Sequence, residues 1–397
     1  MSDLRPNLLS QSRQALGEYF AALGERSYRV TQVMKWVYHR DASEFASMSD
    51  IGRSVRDRLH EDFAIRLPEV ATALHSKDGT RKWSVRLANG QAVECVLIPE
   101  KGRNTLCVSS QIGCMLDCSF CSTGKQGFAG NLEAGDIVGQ VLMVQRLLLQ
   151  AGDTRGVTNV VLMGMGEPLL NFDNVAVATD LMLDDLAFGI SKRRITVSTA
   201  GVVPGIYALA ARSDVSLAVS LHAADDALRN VLVPINRKYP IAELLAACQH
   251  YQESSLGERR SVFFEYTLLN GVNDSPTQAR DLAKLLRAIP CKINLIPFNP
   301  FPGSGYDRPS MARVRAFQTV LMQSGYSTML RTTRGDDIDA ACGQLVGRFA
   351  DRTRRRERYV EQRGLVPSDA LASDSVAASP SDVSVRLDPA LRVLELT

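Results

Sequence analysis

The chain has 397 residues, of which 45% are hydrophobic and 22% charged, a composition typical of a folded protein with a sizeable core. No apolar run reaches the roughly 18 residues needed to cross a bilayer, and the first residues lack the pattern of a secretory leader. The net charge of +3 indicates no partner by itself, although residues 1–363 carry 44 basic and 38 acidic side chains, which favours a polyanion. Eight dispersed cysteines argue against a disulfide framework, so we expect a cytoplasmic protein without membrane attachment.

Residues 1–65 predict a small helical N-terminal domain. Apolar side chains such as Leu16, Phe20 and Leu23 recur there at helical intervals. The basic and aromatic side chains of this domain are Arg26, Tyr28, Arg29, Lys35, Trp36, Tyr38, Arg40, Arg53, Arg56 and Arg58. Such residues either follow a nucleic-acid backbone or form the solvated face around a tryptophan core, and the sequence leaves both interpretations open.

Residues 66–100 predict a β extension that leads into the core. Two turn signals, Lys77-Asp78-Gly79 and Asn89-Gly90, separate short strand patterns and indicate a hairpin or small sheet.

Residues 101–350 alternate between strand and helix patterns. Strands are predicted at 157–163, 194–198, 217–221, 261–268, 292–297 and 327–331. Helices are predicted near 132–150, 173–185, 203–211, 240–254, 276–287 and 310–323, with a last one from about Asp336. Repeated βα units predict a parallel sheet, open or closed into a barrel, with functional residues at the carboxyl ends of the strands.

The C-terminal part divides into a basic segment, 351–363, and a tail, 364–397. The segment contains RTRRRER at 352–358, whereas the tail is rich in Ser, Ala, Asp and Pro. A tail of that composition buries little apolar surface, so disorder is predicted.

Three cysteines, Cys114, Cys118 and Cys121, form a C-x-x-x-C-x-x-C motif on one short segment. Three thiolates bind a 4Fe-4S cluster and leave one iron without a protein ligand, where S-adenosylmethionine (SAM) binds through its amino and carboxylate groups. Structural zinc is the alternative, but it needs four ligands, usually from paired C-x-x-C units, and the sequence has no second pair. With Phe120 before the last cysteine, the motif resembles the signature of the radical SAM superfamily.

A predicted buried strand runs into a glycine-rich turn that contains Gly166, Glu167 and Pro168. This segment resembles the glycine-glutamate-proline element of radical SAM enzymes, in which backbone carbonyls accept from the SAM ammonium group. Taken alone, an ordinary strand-to-helix junction explains the pattern equally well.

Polar residues finish three further strands of the predicted sheet. They are Ser198, Ser220 with His222, and Asn299. Each has a second interpretation as a cap or turn residue. The residues predicted to contact SAM are Gly166, Glu167, Ser198, Ser220, Leu221, His222 and Asn299.

The other five cysteines fall into two groups. Cys95, Cys248 and Cys291 lie among apolar neighbours and are predicted to be core residues. Cys107 lies just before the cluster motif, and Cys342 lies near the start of the helix predicted from Asp336. A helix N-terminus favours the thiolate of such a cysteine, although a simple packing role is the alternative.

Several segments together resemble the RlmN family over about residues 10–350. They include ECVLIPE, CVSSQIGCMLDCSFCSTGKQGF, VVLMGMGEPLLN, VPINRKYP and RTTRGDDIDAACGQL. Members of this family are dual-specificity 23S rRNA and tRNA adenosine methyltransferases. The resemblance implies an α/β fold with a partial (β/α)6 radical SAM barrel. The related Cfr-type enzymes share these motifs but methylate carbon 8 of adenosine instead of carbon 2.

The resemblance also implies a mechanism that uses two SAM molecules. The first methylates Cys342; the second, bound at the open iron, yields a 5′-deoxyadenosyl radical that removes hydrogen from the S-methyl group. The resulting methylene radical adds to carbon 2 of adenine. Cys107 then releases the product by forming a transient disulfide with Cys342, and Glu94 accepts a proton.

The partners implied are 23S rRNA, tRNA and an electron donor such as flavodoxin or ferredoxin, with the protein acting as a monomer. RNA contacts are predicted for the N-terminal helices, residues 352–358 and the barrel rim. The alternatives are a Cfr-like carbon 8 enzyme, a radical enzyme acting on a small substrate, and a non-enzymatic cluster or zinc protein that binds RNA. Cys107 with Cys342 argues against a small substrate, because only the methyl-shuttling branch needs both thiols.

Overall fold

The computed structural model describes residues 5–347 together with 352, 353 and 355. Its helices are α1 (Arg13–Ala22), α2 (Tyr28–His39), α3 (Arg53–Asp62), α4 (Ser122–Lys125), α5 (Ala134–Gln150), α6 (Phe172–Leu183), α7 (Val203–Arg212), α8 (Asp226–Leu232), α9 (Ile241–Tyr251), α10 (Pro276–Leu285) and α11 (Met311–Gln323). Its strands are β1 (Glu69–His75), β2 (Arg81–Arg86), β3 (Ala92–Glu100), β4 (Arg103–Cys107), β5 (Gln111–Gly113), β6 (Phe128–Asn131), β7 (Asn159–Leu162), β8 (Ile195–Thr199), β9 (Ser216–Ser220), β10 (Val262–Leu268), β11 (Cys291–Pro297) and β12 (Ser327–Leu330).

The N-terminal helices α1 to α3 pack around a small core that includes Phe20, Met34 and Leu59, all of which are fully buried. The domain docks on the rest of the chain through Tyr38, whose ring meets Phe188 edge-on at 5.3 Å. Many of its basic side chains have acidic partners within the domain, as in the pairs Arg29–Glu25, Arg53–Asp57 and Arg58–Asp62. The structure therefore leaves both interpretations of these basic side chains open: they either follow a nucleic-acid backbone or form the solvated face of the domain.

One ten-stranded sheet organises the core, in the order β1-β2-β3-β4-β7-β8-β9-β10-β11-β12. Strands β1 to β4 pair antiparallel, with the two predicted turns between β1, β2 and β3. From β4 onward every neighbouring pair is parallel. The predicted α/β class is confirmed, and β12 adds a seventh parallel strand beside β4 and β7 to β11.

The parallel strands curve around an interior lined by alternate residues. Asn159 and Val161 of β7 and Met163, which directly follows it, line one internal cavity, as expected when successive side chains point to opposite faces. The carboxyl ends of the strands share one rim, and the separate β5–β6 hairpin and α4 carry the three-cysteine motif beside it. Among the described residues, no helix combines the length and apolarity needed to span a bilayer.

The helix predicted from about Asp336 is wrong. The structure has only a three-residue 3-10 turn, Asp336–Ile338, between Gly335 and Asp339, whose φ angles of 61° and 50° lie in the left-handed region and end any helix there. Predictions for the tail 364–397 and for most of the segment 351–363 lie outside the described residues.

Candidate active site

Two cavities meet inside the barrel. The upper cavity lies at the carboxyl ends of the strands and is bordered by residues that include Cys114, Cys118, Cys121, Glu167, Ser198 and His222. The lower cavity occupies the interior and is bordered by residues that include Arg103, Asn159, Arg193, Asn294, Arg331 and Arg334. The residues shared by both are Met163, Glu265, Ile296, Asn299 and Cys342.

The three-cysteine motif lies between β5 and α4 and faces the upper cavity. Burial raises the pKa of each of the three thiols, Cys114, Cys118 and Cys121, so a cationic ligand is needed to keep them as thiolates. In a cubane cluster each cysteine thiolate binds a different iron. The three sulfur atoms therefore need to face one cavity, but they need not converge on a single point. In the described part of the chain, no three His, Cys, Asp or Glu side chains gather at single-ion distance. All three cysteines border the upper cavity, and three thiol donors that face one cavity fit a cubane cluster.

Arg355 holds the cysteine loop from outside. Its Nη1 donates to the carbonyls of Cys114 at 3.1 Å, Leu116 at 2.8 Å and Gly124 at 3.0 Å, and its Nη2 donates to Met115 at 2.9 Å. Sequence reasoning assigned this arginine, as part of the basic run, to RNA contact. The structure instead places its guanidinium on the backbone of the loop.

The glycine-glutamate-proline segment forms a tight turn after β7. Gly166 has a φ of 103°, and a Cβ there would lie 2.5 Å from the Cβ of Gln111, so only glycine fits. The carboxylate of Glu167 accepts from the backbone N–H groups of Leu169 at 3.1 Å and Ala200 at 2.7 Å. Burial raises the pKa of Glu167 to about 7 despite these hydrogen bonds. Glu167 thus ties the end of β7 to the end of β8.

The predicted rim residues Ser198, Ser220, His222 and Asn299 all border the upper cavity. Leu221 does not: it is fully buried, its N–H donates to the carbonyl of Glu265, and its carbonyl accepts from a buried arginine.

His222 has a specific orientation. Its φ is 61°, its Nδ1 accepts from the backbone N–H of Thr267 at 2.9 Å, and its ring meets Phe120 edge-on at 4.6 Å. Burial lowers its pKa to about 3, so the ring is neutral at physiological pH.

Cys107 and Cys342 lie within electrostatic reach of each other although 235 positions separate them. Cys107 ends β4 and is buried, which raises its pKa to about 12. Cys342 borders both cavities on the loop after Ile338, and its thiol interacts electrostatically with that of Cys107. Desolvation inside the cleft raises the pKa of Cys342, and the cation of Arg331 opposes this shift. The favourable charge comes from Arg331 and not from a helix N-terminus.

Glu94 lies on β3, is buried, and borders neither cavity. Its Oε1 is 3.3 Å from the Nζ of Lys82, and its Oε2 accepts from the N–H of Val346 at 2.9 Å. Burial raises the pKa of Glu94, and the charge of Lys82 opposes that shift.

Sequence reasoning missed four charged residues near the site. Arg229 is fully buried and donates to the carbonyls of Ala200, Ser220 and Leu221, which joins the ends of β8 and β9. The other three are Lys82, Glu265 and Arg331. The available signal was a charged residue inside an otherwise apolar stretch, most clearly in VFFEYTL of β10.

Comparisons with known proteins agree with this architecture. A family model described as Ribosomal RNA large subunit methyltransferase N-terminal domain matches residues 6–65, and one described as Radical SAM superfamily matches residues 108–283. A curated relative from Marinobacter nauticus, named Dual-specificity RNA methyltransferase RlmN, is 57% identical over 362 residues. The match covers 91% of this chain and 98% of the relative. A relative of the same name from Pseudomonas fluorescens is 54% identical over 377 residues, covering 94% of this chain and 98% of its own. The chain belongs to the RlmN family.

A solved structure from Sphaerobacter thermophilus, described as a radical SAM methyltransferase, matches with a TM-score of 0.79 and 42% identity, covering 86% of this chain and 99% of that one. The predictions of the RlmN family, of its α/β fold and of a radical SAM methyltransferase are confirmed. Membership of the radical SAM superfamily implies a 4Fe-4S cluster and SAM as cofactors.

Proposed function

We propose that this protein methylates carbon 2 of a specific adenosine in 23S rRNA and of the adenosine beside the anticodon in tRNAs, through a methyl group carried by Cys342. One observation carries the proposal. Cys342 borders the upper cavity, together with the three-cysteine loop, and also the lower cavity, and it lies within electrostatic reach of Cys107. A thiol that passes a methyl group from one ligand to another needs this position between two cavities.

Cys114, Cys118 and Cys121 would hold the cluster and leave one iron for SAM. When bound, the cluster and SAM supply the one-electron chemistry that an unactivated aryl carbon requires. Gly166, Glu167, Ser198, Ser220 and His222 border the same cavity and support SAM binding there. Two SAM molecules serve each turnover, one of them donating the methyl group to Cys342.

Cys342 and Cys107 have separate roles: Cys342 accepts the methyl group, and Cys107 releases the product. Cys342 needs to ionise before it accepts a methyl group, and Arg331 favours its thiolate. After carbon 2 has lost its hydrogen, the Cys107 thiolate attacks the sulfur of Cys342. The sulfur–carbon bond breaks with its electron pair going to the methylene carbon, which takes up a proton to become the methyl group. A Cys107–Cys342 disulfide forms and is reduced before the next turnover. The role of Glu94 as proton acceptor stays a prediction, since its carboxylate is engaged with Lys82 and Val346.

RNA binding is assigned to the N-terminal helices and the barrel rim. Arg26 and Lys35 are exposed on the first domain and suit phosphate contacts. Arg355 no longer supports an RNA role for the basic run, because its guanidinium donates to the cysteine loop. A flavodoxin or ferredoxin as electron donor, a cytoplasmic setting and a monomeric state belong to the same proposal.

The test is anaerobic reconstitution with unmethylated 23S rRNA and tRNA, followed by mass spectrometry of the nucleosides. We expect 2-methyladenosine; 8-methyladenosine would establish the Cfr-like alternative instead. Cys342→Ala should abolish turnover, and Cys107→Ala should trap a protein–RNA adduct visible on a denaturing gel. Cys291→Ala, a partly buried cysteine away from both cavities, is the matched control and should release product normally. Normal product release by Cys107→Ala removes that thiol from the mechanism.

A further inference from the structure

The lower cavity has a polar wall that includes Glu265, a residue with no role in the steps above, and Arg331, whose only role so far is to favour the Cys342 thiolate. It shares Cys342 with the upper cavity but is bordered by none of the three cysteines of the loop. In the proposed function, which this inference deepens and on which it rests, the nucleobase has to reach Cys342 from a side that the cluster and SAM do not occupy. The lower cavity provides that side.

Glu265 occupies the wall between the two cavities, in the middle of β10. It is 3% exposed, and its Oε1 accepts from the Nδ2 of Asn294 at 2.7 Å and from the Nη2 of Arg331 at 3.4 Å. Its Oε2 is shielded from solvent and has no hydrogen-bond partner among the described residues. A buried carboxylate oxygen without a donor is unfavourable, which points to a ligand that supplies one.

Arg331 lies beside the Glu265 carboxylate and supplies hydrogen-bond donors where Glu265 supplies an acceptor. Its side chain is 37% exposed and borders the lower cavity, and Glu265 takes only one of its five N–H donors. Both side chains interact electrostatically with the thiol of Cys342. The wall thus presents an acceptor next to a donor, close to the residue that carries the methyl group.

We propose that Glu265 and Arg331 bind the Watson–Crick edge of the target adenine in the lower cavity, with Glu265 accepting from the exocyclic amino group and Arg331 donating to N1. Adenine offers a donor beside an acceptor on that edge, which complements the wall. N1 is bonded to carbon 2, so this pairing brings carbon 2 toward Cys342. Guanine presents a carbonyl and an N–H in the reverse order and would place its carbonyl oxygen against the carboxylate.

Asn294 acts as a positioning residue in this arrangement. Its amide donates to the Oε1 of Glu265, which leaves Oε2 as the oxygen available to the base. Glu265 also borders the upper cavity. A hydroxyl group of SAM is therefore the alternative to adenine as hydrogen-bond donor to Oε2. The experiment therefore measures the affinities for RNA and for SAM separately.

The probe is a tRNA anticodon stem-loop that carries either adenosine or purine ribonucleoside, which lacks the amino group, at the target position. Binding to cluster-loaded protein is measured anaerobically by fluorescence anisotropy. We expect the wild-type protein to prefer the adenosine RNA by about tenfold or more, the usual effect of one hydrogen bond to a charged group. In Glu265→Gln the preference should shrink, and in Glu265→Met, whose thioether sulfur is only a weak acceptor, it should largely disappear while SAM affinity is retained.

Glu243→Gln, an exposed residue of α9, is the matched control and should keep the wild-type preference. Equal affinity of the wild-type protein for both RNAs overturns the inference even if the Glu265 variants do not fold. The inference is also overturned if the Glu265 variants keep the wild-type preference for the adenosine RNA. The same holds if the variants lose affinity for SAM but not for the adenosine RNA. A wild-type protein that methylates no RNA contradicts the proposed function, whereas methylation without a base preference contradicts only this inference.

Discussion

Lys82 and Glu94 form a buried ion pair that holds both ends of the loop carrying Cys342. The Nζ of Lys82 is 3.3 Å from the Oε1 of Glu94 and donates to the carbonyl of Asp339 at 3.1 Å. The Oε2 of Glu94 accepts from the N–H of Val346 at 2.9 Å. Since residues 339 and 346 flank Cys342, this pair on β2 and β3 contributes to the position of the thiol.

We expect Lys82→Met to destabilise the fold by about 3 kcal/mol or more, because it leaves the carboxylate of Glu94 buried without its cation. The free energy of unfolding of the metal-free protein is measured with urea. Arg53→Met is the control: its side chain is 87% exposed, its partner is Asp57, and its loss should cost less than about 1 kcal/mol. Equal losses in the two variants would contradict a buried pair, and the double variant Lys82→Met/Glu94→Leu should recover part of the loss.

Arg355 is expected to protect the cluster through its four hydrogen bonds to the cysteine loop. Arg355→Met removes the charged donor and should increase the rate of iron loss to a chelator by about tenfold or more. Lysine should rescue only partly, since a single ammonium cannot reproduce the guanidinium fork. Absorbance of the cluster under anaerobic conditions gives the rate. Arg352→Met, an exposed residue of the same basic run, should behave like the wild-type protein.

Asp78 anchors the start of the Cys342 loop and makes it sensitive to acid. Its carboxylate accepts from the N–H groups of Thr80 at 2.9 Å and Gly335 at 3.1 Å. Burial alone would raise its pKa, but these hydrogen bonds outweigh it and lower the pKa to about 2. Since the folded pKa lies below the unfolded one, the stabilisation is present above about pH 4 and is lost as pH falls toward 2.

The stability difference between the wild-type protein and Asp78→Asn should therefore shrink between pH 5 and pH 3 by at most about 1 kcal/mol, and by less to the extent that solvent screens the partly exposed carboxylate. Urea unfolding of both proteins at each pH measures it. A difference that stays constant over this range would show that Asp78 does not titrate with folding.

His222 is expected to stay neutral at pH 5.5, where an ordinary histidine is mostly protonated. Burial lowers its pKa to about 3, and because Nδ1 accepts from the Thr267 N–H, the proton resides on Nε2. Nitrogen-15 NMR of histidine-labelled protein distinguishes this tautomer from imidazolium. His222→Asn identifies the signal, since asparagine tolerates the φ of 61°. An imidazolium signal at pH 5.5 would contradict the buried environment.

Some elements near the site could be predicted from the sequence, and one could not. The strands that become β7 to β12 were predicted within a few residues, because each is a short apolar run between helices. The helix at Asp336 was not found. Its aspartates look like an N-terminal cap, but Gly335 is tied to Asp78 and the backbone turns left-handed at Asp339.

By itself the sequence determined the three-cysteine motif, which is a local pattern whose spacing reflects its chemistry. The roles of Cys107 and Cys342 were predicted only from the resemblance to the RlmN family, because two cysteines 235 positions apart form no local pattern. Only the tertiary structure decided the charged partnerships: Lys82 with Glu94, Arg355 with the cysteine loop, and Glu265 with Arg331. The last two partnerships span 66 or more positions, and all three depend on strand register and burial. Local periodicity shows that a charge is buried, but only the folded chain shows which group compensates it.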